Sequence, residues 1–386
     1  MCGAGLRRLS ILAPTRYPWR FNSPRHSRHH IATRNFIPLN KVDYRIEGVT
    51  AFNPLPLRRF DLIHAFNRIP LGAKPYLIGF ESHLPRAYGM ENTPYFKALQ
   101  ASLAGRRCRG IIAISKHAEA VFRSMHAGSP HEAALLGKLT LRYPNVEIDE
   151  GARDALAEDT DDGPMRITFV GAHFARKGGC VAIRIAELAG ERGVPVEVTI
   201  ISALEMGGNI WTDPARAGYF EDWRRRLDHP LITVANALPN AEVLAVLARS
   251  HFSLLTTFSD TFGYSALESM MGFCPVIATR QGALPEFIHD GINGRLLELE
   301  TSPVGEWVYS NSSGRATPAF EKIFTDEIER LAEESLAAIV AAMQDRGGYR
   351  KMRSAARATV VEMFDAGAAT PYWDERYEQA VAFKAD

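Results

Sequence analysis

Short apolar runs alternate with helical stretches along the whole chain. In the first half LSILAP, FDLIHAF, KPYLIGF and GIIAIS are strand-length runs, while YFKALQASLAG and KHAEAVFRSM have helix-like composition. Strands interleaved with helices predict a mostly parallel sheet with helices on both faces. Residues 151–164, GARDALAEDTDDGP, are acidic, rich in small residues and closed by Gly163-Pro164, which marks a linker. The alternation then restarts with the strand RITFVG, the helix GGCVAIRIAELAGERG and the strand VEVTII. Val181, Ile185 and Leu188 fall on one face of that helix. LITVANAL, the helix NAEVLAVLARS, the strand HFSLLTT, the helix SALESMMGF and the strand PVIAT follow. A long helical stretch, FEKIFTDEIERLAEESLAAIVAAMQD, precedes a helix-rich last segment carrying Tyr372, Trp373 and Tyr377, which are expected to dock on the first domain. The pattern predicts an α/β protein with domains over residues 1–155 and 164–360 and a terminal helical segment over 361–386.

Composition is that of an ordinary globular protein, with 46% hydrophobic and 23% charged residues among 386. No apolar run approaches the roughly 18–20 residues that span a bilayer. The N-terminal SILAP is too brief for the core of a signal peptide. Cys2, Cys108, Cys180 and Cys274 form no CxxC pair, which fits a reducing compartment and argues against a disulfide scaffold or a zinc site. The expected location is cytoplasmic. The net charge of +1 conceals an asymmetry. Residues 1–150 hold 22 Lys and Arg against 10 Asp and Glu, and the remainder holds 23 against 34. A basic half suggests an anionic partner such as a membrane surface; attraction between the two halves is the plainer alternative. RHSRHH, residues 25–30, reads as a contact for an anionic acceptor or membrane surface or as a simple solvated loop, and its arginines argue against a metal held by His26, His29 and His30.

Two segments carry the candidate chemistry. In TTFSDTFGYSALESMMGFCPVIAT, residues 256–279, an apolar strand ends in a polar loop and a helix opens at about Ser265. The amides of Phe262, Gly263 and Tyr264 lie at that helix entrance, where unpaired N–H groups receive phosphate. Asp260 and Glu268 can both point into the same crevice and accept hydrogen bonds from hydroxyls, although Ser265 and Glu268 also fit a capping box. In ITFVGAHFARKGGCVAIRIAEL, residues 167–188, a strand runs into Gly171, and Arg176-Lys177-Gly178-Gly179 opens a helix. A lysine there can meet a diphosphate as a point charge, although a basic surface turn has the same composition. Neither the GxxxxGK[ST] nor the GxGxxG spacing is present.

With FVGAHFARKGG and the stretch from ANALPNAEVL to DGINGRLL, the chain resembles the group 1 (family four) retaining glycosyltransferases over residues 167–297, and more loosely over 60–150. The resemblance implies the GT-B fold: two Rossmann-like domains across a cleft, the first for the acceptor and the second for the nucleotide sugar. It implies that Lys177 grips the donor diphosphate, that the Phe262–Tyr264 amides hold its distal phosphate and that Asp260 contacts the transferred sugar. Glu268 would meet the ribose, Ala237–Pro239 including Leu238 would border the nucleobase, and Gly171 and Arg176 would line the phosphate loop. His83, closing FESH, resembles the histidine beside the reacting sugar; a structural histidine is the alternative. The donor is implied to be of UDP or GDP type, the acceptor a glycan, lipid-linked or small sugar, with no metal, no other cofactor and no nucleic acid. The implied setting is envelope polysaccharide or glycolipid synthesis. A degenerate nucleotide-sugar binding scaffold is the alternative function. Three departures stand out: Asp260 where the family has glutamate, Ala172 where it has arginine, and Pro14-Thr15-Arg16-Tyr17-Pro18 in place of a Gly-Gly turn.

Overall fold

The computed structural model describes residues 7–382 except Arg16, Pro38, Val42, 53–58, Asn92, 149–162 and Ala237; the side chains of Asn40 and Tyr44 are also left undescribed. The expected linker therefore lies, apart from Gly163 and Pro164, outside the described residues. The chain forms two compact units, one of Met1–Glu147 with Met363–Asp386 and one of Ile148–Glu362. No helix among the described residues is long and apolar enough to cross a membrane.

The first unit holds β1 (Ser10–Pro14), β2 (His30–Arg34), β3 (Leu62–Phe66), β4 (Tyr76–Phe80), β5 (Cys108–Ala113) and β6 (Leu139–Leu141). They form one parallel sheet in the order β2-β1-β3-β4-β5-β6. Every residue of β3 and β4 is buried, which is why these strands read as unbroken apolar runs. The edge strands β2 and β6 and a small sheet of Phe36–Ile37, Val49–Phe52 and Ile69–Pro70 lack that signature and were not expected from the pattern. The expected helices are α1 (Pro94–Ala104) and α2 (Lys116–His126), each opened by a hydroxyl cap from Thr93 or Ser115.

The C-terminal helix Ala366–Ala382 belongs to this unit. Its Ala369, Trp373, Tyr377 and Ala380 pack on Leu9, Ile11, Leu62, Leu77 and Ile112 of the sheet. Each such large apolar side chain removed from water contributes roughly 1.5–3 kcal/mol. The Tyr377 hydroxyl lies 2.8 Å from His64 Nδ1, and burial pushes His64 down to about 3, so the imidazole is neutral. The same helix clasps the basic 25–30 segment. Asp374 accepts from the Ser27 hydroxyl and the Arg28 amide, while Glu378 contacts Arg28 Nη2 at 2.8 Å and His29 Nε2 at 3.3 Å. His26 turns instead to Glu147. Much of this basic patch is thus engaged inside the unit.

The second unit holds β7 (Met165–Val170), β8 (Val196–Ile201), β9 (Ile232–Ala235), β10 (Phe252–Leu255), β11 (Val276–Thr279) and β12 (Gly294–Leu297). This sheet is also parallel, in the order β9-β8-β7-β10-β11-β12. The helices are α3 (Gly179–Arg192), α4 (Asn240–Arg249), α5 (Tyr264–Met271), α6 (Pro318–Gln344) and α7 (Arg346–Phe364). The expected face of α3 is buried, but so are Ala182, Ile183, Ala186 and Ala189. The apolar stripe of α6, from Phe320 through Ile328 to Ile339, joins the same core and covers α3 on the side away from the sheet. At the far end of α5, the buried Arg357 and Arg353 donate to the carbonyls of Met271 and Phe273 at 2.6 and 3.0 Å. These cations satisfy backbone acceptors at the negative end of the helix dipole.

Candidate functional site

The strand order of the second unit reverses between the neighbours β7 and β10. Ligands of such sheets bind outside the carboxyl ends of the strands at this switch point. The two loops singled out in the sequence leave those two strands. Residues 171–178 follow β7 and open α3; residues 256–263 follow β10 and open α5. Lys177 Nζ forms an ion pair with Asp260 Oδ2 across the switch point. The other oxygen of Asp260 accepts from the amides of Phe262 and Gly263 at 3.3 and 3.2 Å. Burial opposes ionisation of Asp260, but the charges of Lys177 and Arg176 and the Phe262 N–H outweigh it and hold the carboxyl below its usual range.

Both loops depend on glycine. Gly178 has φ +98° and lies against Thr256 at the end of β10. Gly263 has φ +88°, and a Cβ there would come within 2.5 Å of Leu284 Cδ2. Gly171 leaves β7 with room for no more than its hydrogen atom, since a Cβ would approach the Lys177 stem to 3.0 Å. Gly263 also caps α5, with no side-chain cap bond. The capping-box alternative for Glu268 therefore does not hold, and α5 starts at Tyr264 rather than Ser265. Glu268 instead lies buried and accepts from Asn240 Nδ2 at 3.0 Å.

Arg176 is held in a chain of contacts. Its Nε donates to His173 Nδ1 at 3.0 Å, its Nη1 donates to the Ser259 carbonyl at 2.7 Å, and its guanidinium stacks 4.8 Å from the Trp211 ring. Accepting at Nδ1 makes His173 the neutral Nε2–H tautomer, which faces Glu205 at 3.1 Å. Burial and the neighbouring Arg176 both lower the His173 pKa, against the pull of Glu205. Leu238 packs beside Ile201, Val243 and Leu247, and Ala237 lies outside the described residues. His83 belongs to the first unit, just beyond β4, with its ring 5.4 Å from that of Tyr88. Among the described residues no three His, Cys, Asp or Glu side chains gather as a metal site.

Trp211 and Asp213 escaped the sequence reading. They lie on the connection from residue 202 to 220, which has no helix or strand of its own. A connection of that length is uncommon and usually functional, and that was the available signal. Asp213 anchors it by accepting from the Gly207 amide and the Thr212 hydroxyl, each at 3.0 Å. Trp211 Nε1 reaches Ser259 Oγ at 3.3 Å. Burial pushes the Asp213 carboxyl up to about 6, despite those two donors. The fold thus favours the protonated form. The stability this group supports is complete below about pH 4 and is lost as pH rises to 6 and beyond, by about 3 kcal/mol. Asp213→Asn is expected to flatten that slope between pH 4 and 6 in urea titrations; an unchanged slope would exclude Asp213 as its source.

Residues 164–305 match the family described as glycosyl transferases, group 1. Among curated proteins, a D-inositol 3-phosphate glycosyltransferase of Corynebacterium kroppenstedtii is 28% identical over 133 residues, 34% of this chain and 29% of that protein. Its counterpart from Thermobifida fusca is 27% identical over 166 residues, 42% of this chain and 36% of its own. The match thus spans about a third of these relatives' length. A solved glycosyltransferase from Rickettsia africae superposes with a TM-score of 0.58 at 14% identity, covering 98% of this chain and all of that one. The Anabaena protein Alr3699/HepE, solved with UDP-glucose, gives 0.58 at 14% identity over 96% of this chain and 100% of that one. With its two parallel Rossmann-like sheets, the chain has the GT-B fold of these neighbours.

Proposed function

We propose that the protein transfers a sugar from a nucleotide-diphosphate sugar of UDP or GDP type to an acceptor hydroxyl. The observation that carries this reading is the Lys177–Asp260 pair spanning the switch point of the group 1 domain. A diphosphate arriving there takes over the Lys177 charge, and Asp260 turns to the hydroxyls of the transferred sugar. The Phe262–Tyr264 amides take the distal phosphate, Glu268 the ribose, and the Leu238 segment borders the base. Negative charge builds on the leaving phosphate as the anomeric C–O bond breaks, and fixed cations and N–H donors stabilise it. We extend the reading to retention of configuration. The leaving phosphate oxygen takes the acceptor's proton on the face where the new C–O bond forms, without metal or side-chain nucleophile. His83 is assigned to the reacting sugar, and the acceptor is a glycan, a lipid-linked sugar or a small sugar of envelope synthesis. The resemblance to group 1 enzymes and the donors held by structural neighbours such as the Anabaena protein support this assignment. We place the reaction in the cytoplasm, with the basic first unit meeting an anionic membrane.

The test is a thermal-shift screen with UDP-, GDP- and ADP-sugars, followed by assay of slow donor hydrolysis. A donor at 100 times its Kd is expected to stabilise the protein by about 2.7 kcal/mol. Glu268→Ala is expected to lose at least about tenfold in donor affinity, equivalent to one charge-assisted hydrogen bond. Donor binding without hydrolysis or transfer over a broad acceptor panel would instead favour the scaffold reading.

A further inference from the structure

Asn240 is the first residue of α4, which follows β9, whereas Glu268 lies on α5, which follows β10. Their side chains meet at 3.0 Å, Nδ2 donating to Oε1. Asn240 is exposed while Glu268 is only 7% exposed, so the bond sits at the rim of the site and orients a carboxylate below it. Capping does not account for the placement, because Pro239 is the residue that precedes α4 and no side chain caps it. Two positions earlier, Leu238 is fastened in the apolar cluster of Ile201, Val243 and Leu247. The segment from Leu238 to Asn240 therefore has an apolar anchor at one end and a polar contact to Glu268 at the other.

We infer that Asn240 is a positioning residue for ribose recognition, setting the plane of the Glu268 carboxylate so that it meets the hydroxyls of a nucleotide ribose. The inference rests on the proposed nucleotide-sugar site. A carboxylate has acceptor sites on both oxygens, and a neutral amide donor orients it without cancelling its charge. A lysine or arginine at position 240 would neutralise the charge that ribose hydroxyls need as their acceptor. An alanine would remove that donor.

The experiment compares binding of UDP and GDP with that of their 2′-deoxy and 3′-deoxy forms by calorimetry. Wild type, Asn240→Ala, Asn240→Ser and Glu268→Ala are used as full-length chains, with the melting temperature of each unliganded protein measured alongside. Wild type is expected to prefer the ribonucleotide by about tenfold or more, the factor for one hydrogen bond to a charged group. Asn240→Ala and Asn240→Ser are expected to bind the deoxy forms as wild type does and to lose most of the ribose preference. A preference retained in both variants overturns the inference. So does an equal loss for ribo and deoxy forms, or a loss that tracks a fall in melting temperature, since either marks a merely structural tie between α4 and α5. Wild type that binds the diphosphates with no ribose preference overturns the role of Asn240 but leaves nucleotide binding standing. Wild type that binds neither diphosphate removes the nucleotide-sugar reading and the inference with it.

Discussion

Replacing Lys177 with alanine is expected to lower the unfolding free energy by about 3 kcal/mol, in addition to removing the proposed diphosphate contact. The stability loss follows from what is left behind. Among the described residues Asp260 keeps the Phe262 and Gly263 amides as donors and the more distant charge of Arg176, but the largely buried carboxylate loses its paired cation. Those two amides place the cost at the lower end of the range for breaking a buried pair. The double variant Lys177→Met, Asp260→Asn buries no charge and is expected to lose about 1 kcal/mol, less than the single change. The pH dependence should also flatten. In wild type the Asp260 carboxyl is held low, so its contribution is present above the ordinary carboxylate range and is lost as pH falls through its lower folded value. Without Lys177 less opposes burial, so the folded carboxyl rises and this contribution should shrink in the variant. Urea titrations of both variants decide the matter. A single variant no weaker than the double would mean that the pair is not the structural unit described.

Gly178→Ala is the second change with a large expected effect. The residue sits at φ +98°, where a side chain costs about 1–3 kcal/mol in strain. Its Cβ would also come within 2.5 Å of the Thr256 carbonyl oxygen, and closer to the hydroxyl of that buried residue. Thr256 sits directly after β10, so its backbone has little freedom to yield, and overpacking adds about 1–3 kcal/mol more. Gly193 provides the control, with φ +64° at the end of α3 and nothing within 4 Å of an added Cβ. Gly193→Ala is expected to cost about 1 kcal/mol, and Gly178→Ala roughly three times that or more. Equal losses in the two variants would show that the approach of the β7 and β10 loops tolerates a methyl group.

Strands buried on both sides announced themselves in the sequence, because β3 and β4 have no polar face to interrupt the apolar run. Edge strands did not. In β2 the exposed His30 and Thr33 and the half-buried Arg34 make HIATR look like the end of a basic loop. The two site loops could be read locally, each from a glycine at a helix entrance. Spacing could not show that Lys177 and Asp260, 83 residues apart, meet as an ion pair, since that follows from β7 and β10 being sheet neighbours. Arg176 shows the converse. Its position beside Lys177 suggests a phosphate contact, yet His173, Ser259 and Trp211 hold its guanidinium, and two of those partners come from distant segments. Arg353 and Arg357 were invisible for the same reason, because a helix C-terminus recruits cations from wherever the chain returns.

The C-terminal helix also has a consequence for the order of synthesis. The sheet residues Leu9, Ile11, Leu62, Leu77 and Ile112 leave the ribosome early, but their cover, Trp373 and Tyr377, is made only after the whole of Ile148–Glu362. At ordinary elongation rates that interval lasts roughly 10 to 40 s. For that time the first unit has an unclosed apolar face, while the chain of the second unit is still being made. The first unit thus becomes complete only after the whole chain of the second has been made, despite the order in which they are encoded.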